Sequence, residues 1–162
     1  MARESSQRQS QIQLIAQNRR AQHDFEILDK LECGIALTGT EVKSLREHRI
    51  SLDQAYAKIK DGEVWLLKCD IPEYSAAAYG IHDPKRPRKL LLHRREIARF
   101  AGKATQKGCT LIPLRMYFKN GWAKVELAVA RGKKKYDKRE KIKKEEAQRD
   151  IARALARRRT RK

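Results

Sequence analysis

Two dipeptides, Asp61-Gly62 and Asn120-Gly121, each divide a pair of runs in which apolar and polar residues alternate. Both central positions of a two-residue hairpin turn need positive φ, which Asp, Asn and Gly adopt most readily, so each dipeptide predicts a β-hairpin. Before Asn120, Leu114, Met116 and Phe118 are expected on one face and Arg115, Tyr117 and Lys119 on the other. After Gly121, Val125, Leu127 and Val129 alternate with Lys124, Glu126 and Ala128. Around Asp61-Gly62, Ala55, Ala57 and Ile59 alternate with Tyr56, Lys58 and Lys60, and a return strand covers Glu63–Lys68. A further strand is predicted at Phe25–Lys30, resuming at Ile35–Leu37 after Gly34, with weaker candidates at Cys69–Ile71 and Tyr74–Tyr79. Pro113 argues for an edge or bulge position.

Two segments carry helical spacing. Thr38-Gly39-Thr40-Glu41 has capping-box spacing and opens a helix over Glu41–Glu47, in which Val42 and Leu45 face inward while Lys43 and Arg46 project together. Arg94–Gly102 reads as a second helix, with Ile97, Phe100 and Ala101 buried and Gly102 as its stop. Several short antiparallel strands with two or three covering helices define a mainly β protein, a small closed barrel. The expected organisation is a flexible segment over 1–17, a barrel over 18–130 and a tail over 131–162. Within the first segment Ile12, Leu14 and Ile15 are apolar enough to pack a short stretch onto the body.

Charge changes the picture. The 162 residues carry a net charge of +19. Residues 131–162 hold 16 Lys/Arg against 5 Asp/Glu, and residues 1–130 hold 23 against 15. A tail so poor in apolar residues cannot offset its own ordering entropy and should order only on a polyanion. Two cationic parts of different character point to two anionic surfaces, chiefly nucleic acid. Cys33, Cys69 and Cys109 form no C-x-x-C pair and read as reduced structural thiols. No apolar run approaches 18 residues, which argues against a membrane helix. The N-terminal stretch carries Glu4 and many Gln and lacks an apolar segment of signal type. The cytoplasm is the expected compartment.

Catalytic arrangements are scarce. His23, His48, His82 and His93 show no metal-ligand spacing, no phosphate-cradling loop occurs, and neither metal nor cofactor is expected. His23 and Asp24, read as strand neighbours, should point to opposite faces and not meet. Basic elements are better candidates. The segment Asn18-Arg19-Arg20-Ala21-Gln22-His23 is equally compatible with phosphate and base-edge contacts to RNA or with a solvated lead-in loop. The loop from His82 to Lys89 is stiffened by Pro84 and Pro87 and presents Lys85, Arg86, Arg88 and Lys89; Lys43, Arg46 and Lys124 add to it. Most aromatics fall in strand runs where core or hairpin packing explains them as well as base stacking does, so recognition of folded RNA shape is favoured over reading of a single strand. In the tail, Tyr136 stands alone among cations; Glu140/Lys144 and Glu145/Arg149 favour helix, and Ala147, Ile151, Ala154 and Leu155 form a thin apolar stripe. Composition alone leaves open whether this arm folds along an RNA groove or serves as a generic basic extension.

Several separated motifs, in order and spacing, resemble one family. They are Asn18–Ala21, Gly34-Ile35, Gly39-Thr40-Glu41-Val42-Lys43-Ser44-Leu45-Arg46, Arg86–Leu92, Leu111–Leu114 and Gly132–Arg139. The chain resembles the SsrA-binding protein family (small protein B), the bacterial partner of transfer-messenger RNA. That resemblance implies an oligonucleotide-binding-like (OB-like) barrel gripping the tRNA-like domain of this RNA near its elbow, with contacts at Asn18, Glu32, Leu91 and Lys124. Arg19, Arg20, His23, Lys43, Arg46, Arg86, Arg88 and Lys89 would form the surrounding electrostatic footprint. The resemblance further implies that the tail enters the decoding centre and empty mRNA channel of the small ribosomal subunit, through Gly132, Lys133, Lys134, Tyr136, Asp137, Lys138 and Arg139. Many relatives carry His at 136, so a role there that needs a cationic ring is not implied. Elongation factor Tu would be met through the RNA, and the protein would be a monomeric, non-enzymatic adaptor of trans-translation that mimics part of a tRNA. A ribosomal structural protein and an RNA-processing enzyme are the alternatives from other classes.

Overall fold

The computed structural model describes residues 12–74, 82–133, 146–149, 151 and 153. Among them the elements run β1 (Ile12–Gln17), α1 (Arg19–Asp24), β2 (Phe25–Ile35), α2 (Gly39–Arg46), β3 (Tyr56–Lys60), β4 (Glu63–Leu67), β5 (Arg88–Leu91), α3 (Arg94–Ala104), β6 (Cys109–Lys119) and β7 (Trp122–Gly132). Residues 146–149 are helical as well. Both predicted hairpins form. Their turns have φ of 52° and 72° at Asp61-Gly62, and 51° and 83° at Asn120-Gly121, as a mirror-image turn requires.

The strands are antiparallel and ordered β1-β6-β3-β4-β5-β2-β7, and a β6–β7 pairing closes the ring. The fold is a small OB-like barrel. β6 is long enough to use one edge twice: Leu111 pairs with Ala57 of β3, while Arg115–Lys119 pair with Gln17–Ile12 of β1. Ile12–Gln17 therefore belongs to the sheet, not to a flexible lead-in, and Ile15 is buried in the main core. That core fills the ring with Cys33, Val64, Leu66, Leu90, Met116, Val125, Leu127 and Val129, closed by Leu45 of α2 and Phe100 of α3.

A register shift between Pro113 and Arg115 corrects the expected faces of β6. Met116 and Phe118 point into the barrel, but Leu114 points outward with Ile112. There they meet Ala128, Ala130 and Ala21 of α1 in a second, smaller core. The bulge inserts one extra residue, so alternation changes sides across it. The bulge that Pro113 suggested is thus present, with this consequence for the faces.

Four further expectations change. Phe25–Ile35 is one continuous strand carrying its own register shift between Ile27 and Asp29. The segment at Cys69–Ile71 contributes only an isolated bridge, Ser51 to Asp70; Tyr74 is not in a strand, and the rest of that candidate lies outside the described residues. Gly102 does not stop α3, which runs on to Ala104. β7 extends to Gly132, past the boundary expected at 130. Cys33, Cys69 and Cys109 are free thiols, and burial pushes those of Cys33 and Cys69 up to about 12, so both are neutral.

Candidate nucleic-acid interface

Strand register brings together residues far apart in sequence. Across the outer face, Leu14 of β1 pairs with Tyr117 of β6, Tyr117 with Lys124 of β7, Lys124 with Gly34 of β2, and Gly34 with Leu91 of β5. A parallel row places Ile12 beside Lys119 and Lys119 beside Trp122. Glu32 lies two residues before Gly34 and so shares its face. Three of the four contacts implied by the family resemblance, Glu32, Leu91 and Lys124, therefore occupy one outward patch. Gly34 keeps the middle of it low: a Cβ there would stand 3.2 Å from Leu91 Cβ. Leu91 itself is 52% exposed.

The Glu32 carboxylate is already engaged. It accepts a 2.6 Å hydrogen bond from Tyr117 Oη and two of 3.0 Å from Lys119 Nζ. The Tyr117 bond, then Lys119 and Lys124, hold its pKa below the usual carboxylate range against the opposing effect of partial burial. Burial and the Glu32 charge raise the pKa of Tyr117, so the phenol keeps its proton and remains a donor. Arg115 stacks 5.6 Å from the Tyr117 ring centroid and pairs with Glu126 at 2.9 Å. An acidic acceptor is thus fixed in orientation within a cationic surround. Alternation put Tyr117 and Lys119 on the polar face of their strand, but only the β2–β7 pairing reveals them as partners of Glu32.

Asn18 has a different role. It is 3% exposed; its Oδ1 accepts from the Ala21 N–H at 2.9 Å and its Nδ2 donates to the Leu52 carbonyl at 3.0 Å. It caps α1, which replaces the expected lead-in loop, and the short helix leaves Arg19 and Arg20 exposed. Helix geometry also brings His23 Nδ1 to 3.2 Å from Asp24 Oδ1, contrary to the strand-based expectation that the pair would not meet.

The arginines of the proline loop were expected to face RNA. The structure turns them inward, and for Arg88 this is a correction. Its side chain is fully buried, donating to Glu41 Oε1 at 2.9 Å and to the Cys69, Pro84 and Arg86 carbonyls. Arg86 makes a two-pronged contact with the same carboxylate, at 2.8 and 2.6 Å, with less than a third of its side chain exposed. Glu41 also accepts from the Thr38 N–H at 2.8 Å, so one fully buried carboxylate opens α2 and fastens the loop. Burial alone would raise its pKa, yet Arg86, the Thr38 amide and Arg88 together hold it below the ordinary value. His82 is buried beside them, its Nε2–H donating to the Ile71 carbonyl while Nδ1 shares a hydrogen bond with the Thr40 hydroxyl, both at 3.0 Å. Lys89 is tied to Glu63 across β4–β5. Lys85, 68% exposed and 3.9 Å from Asp70 Oδ2, is the most exposed cation of this loop. On α2, Lys43 and Arg46 are exposed as expected, with Lys43 Nζ 5.4 Å from the Tyr74 ring.

At the far end of β7, the Lys133 amide donates to the Asp24 carbonyl at 3.0 Å, and its Nζ to the Gln22 and His23 carbonyls at 3.3 and 3.4 Å. An ammonium is favoured there, at the negative end of a helix. Gly132 and Lys133 consequently belong to the barrel. Lys134, Tyr136, Asp137, Lys138 and Arg139 lie outside the described residues.

A cationic OB-like barrel with an outward polar and apolar patch is a design of nucleic-acid-binding modules. More specifically, the chain belongs to the SmpB protein family, whose model matches residues 15–157. It is 58% identical over 158 residues to the SsrA-binding protein of Acidothermus cellulolyticus, covering 98% of this chain and 96% of that one. It is 56% identical over 160 residues to the SsrA-binding protein of Thermobifida fusca, covering 98% and 100%. A solved chain described under "tmRNA-SmpB: a journey to the center of the bacterial ribosome" superimposes with a TM-score of 0.64 at 51% identity, covering 74% of this chain and 85% of that one.

Proposed function

We propose that this protein binds transfer-messenger RNA and brings it to ribosomes stalled on truncated mRNA, as a non-enzymatic adaptor of trans-translation in the cytoplasm. The observation that carries this reading is near end-to-end identity above 55% to proteins described as SsrA-binding. The barrel presents its Glu32–Lys124–Leu91 face to the tRNA-like domain. Lys124 and Lys119, with Arg19, Arg20, Lys43, Arg46 and Lys85 around the body, contact phosphates; Glu32 accepts from base or ribose donors and adds specificity that cations lack. Asn18 contributes by capping α1 and so setting the direction of Arg19 and Arg20. Arg88 holds the loop that carries Lys85. Beyond Lys133 the basic tail enters the decoding centre and vacant mRNA channel of the small subunit, which a message extending downstream would exclude. Protein and RNA together imitate a tRNA, the barrel filling the volume of an anticodon arm, and elongation factor Tu is engaged through the RNA.

Comparison of the full chain with one ending after Lys133 tests this. The shortened protein should bind the tRNA-like RNA with the affinity of the full chain and a salt slope set by the body's phosphate contacts, about one unit each. It should fail to support peptide tagging on stalled ribosomes. Loss of RNA binding on truncation would refute the division of labour. RNA cleavage by the purified protein would refute the adaptor role.

A further inference from the structure

Trp122 is 75% exposed, the most exposed large apolar side chain among the described residues. Of the two accounts open for strand aromatics, burial in the core does not apply to it. The indole makes no hydrogen bond or cation–π contact among the described residues, although other aromatic rings do: Arg115 lies over Tyr117, Lys68 over Tyr56 and Lys43 over Tyr74. Its position is not arbitrary. Trp122 pairs across the β6–β7 hairpin with Lys119, which holds Glu32, and lies two residues from Lys124 on the same face of β7. The hairpin turn is tight and in its preferred geometry, so the ring is carried on a rigid support. Leaving an indole in water in this way forgoes burial that the same residue would gain in a core.

Resting on the RNA-binding reading above, we infer that Trp122 is a stacking platform for one unpaired nucleobase of the structured RNA, at the hairpin end of the Glu32–Lys124 face. Folded RNA exposes base faces at loops and bulges, and indole is well suited to cover one while adjacent lysines neutralise the flanking phosphates. The ring reads no base identity, so its contribution is affinity and register, with Glu32 left to discriminate. This adds a single-base contact to an interface that charge alone would describe as shape recognition.

The test uses the full chain and a transcript of the tRNA-like domain of transfer-messenger RNA. Trp122→Ala should weaken binding roughly fivefold to a hundredfold, the range seen for loss of one base–aromatic stack. Its salt slope should match wild type, whereas Lys124→Ala should lower the slope by about one unit. Trp122→Phe should recover part of the loss, and Trp122→Leu, apolar but without a π face, should not. In a Trp65→Phe background, where Trp122 is the only remaining tryptophan, RNA should quench its fluorescence. Wild-type affinity in Trp122→Ala, full recovery by Leu, or unchanged fluorescence on binding would each overturn the inference while leaving RNA binding intact. A wild-type chain that did not bind the transcript would overturn both. The ring's exposure means that all three variants should melt with wild-type cooperativity, and thermal unfolding checks this.

Discussion

Removing the charge of Glu41 gives the sharpest test of the inward-facing arginines. Glu41→Gln keeps the volume and an acceptor for the Thr38 amide, but leaves two guanidinium groups without their counterion. One of them, Arg88, has no access to water. Arg88 retains its bonds to the Cys69, Pro84 and Arg86 carbonyls, which hold its two terminal nitrogens but do not neutralise its charge. Breaking a buried pair from one side costs about 3–5 kcal/mol. At about 2–4 °C per kcal/mol for a chain of this size, the melting temperature should fall by roughly 6–20 °C. The pH dependence supplies a second reading. The folded-state pKa of Glu41 is depressed, so its stabilisation is fully present above the unfolded carboxylate pKa of about 4.3 and is lost as pH falls through the lower folded value. Wild type and variant should therefore converge on acidification below about pH 4. Chemical denaturation at pH 7 and at descending pH measures both effects. Adding Arg88→Met to Glu41→Gln should restore part of the stability by removing the stranded charge. A loss below about 1 kcal/mol, or a difference that stays constant into acid, would refute a buried ionic hub.

Two other substitutions separate support from contact. Tyr117→Phe removes the 2.6 Å bond to Glu32 and should lower affinity for the tRNA-like RNA by about tenfold to a hundredfold, the worth of one hydrogen bond to a charged group, with an unchanged salt slope in titrations across salt concentrations. Asn18→Ala deletes the cap of α1 and should cost about 1–2 kcal/mol of stability in denaturant, with RNA affinity falling no further than in the Arg19→Ala/Arg20→Ala double variant.

The parts legible in the sequence were those governed by near neighbours. Asn120-Gly121 and Asp61-Gly62 determine their own turns, and the register of each hairpin follows from the turn outward. Thr38 to Glu41 announces α2 within four residues. What escaped depends on partners distant along the chain. Arg88 resembled the other loop cations because the carboxylate that buries it stands 47 residues earlier. α1 was missed because it is six residues long and its principal determinant, the Asn18 side chain, is held by a carbonyl at Leu52. Leu114 leaves the face that strict twofold alternation assigns it because the bulge beside Pro113 breaks the period. Glu32, Leu91 and Lys124 carry no shared local signal; family resemblance supplied them, and the β7–β2–β5 register explains why they lie together on one face.

That bulge has a wider consequence. A single surplus residue between Pro113 and Arg115 gives β6 the character of a ribbon with a half-turn: one stretch of its outer side is greasy and roofed by α1, the next is wetted and charged. One strand thereby serves as a structural wall over half its length and as an exhibition panel over the other half. Deleting one residue at that point would exchange the two sides beyond it, burying arginine and lysine and displaying methionine and phenylalanine, although every other amino acid remained in place.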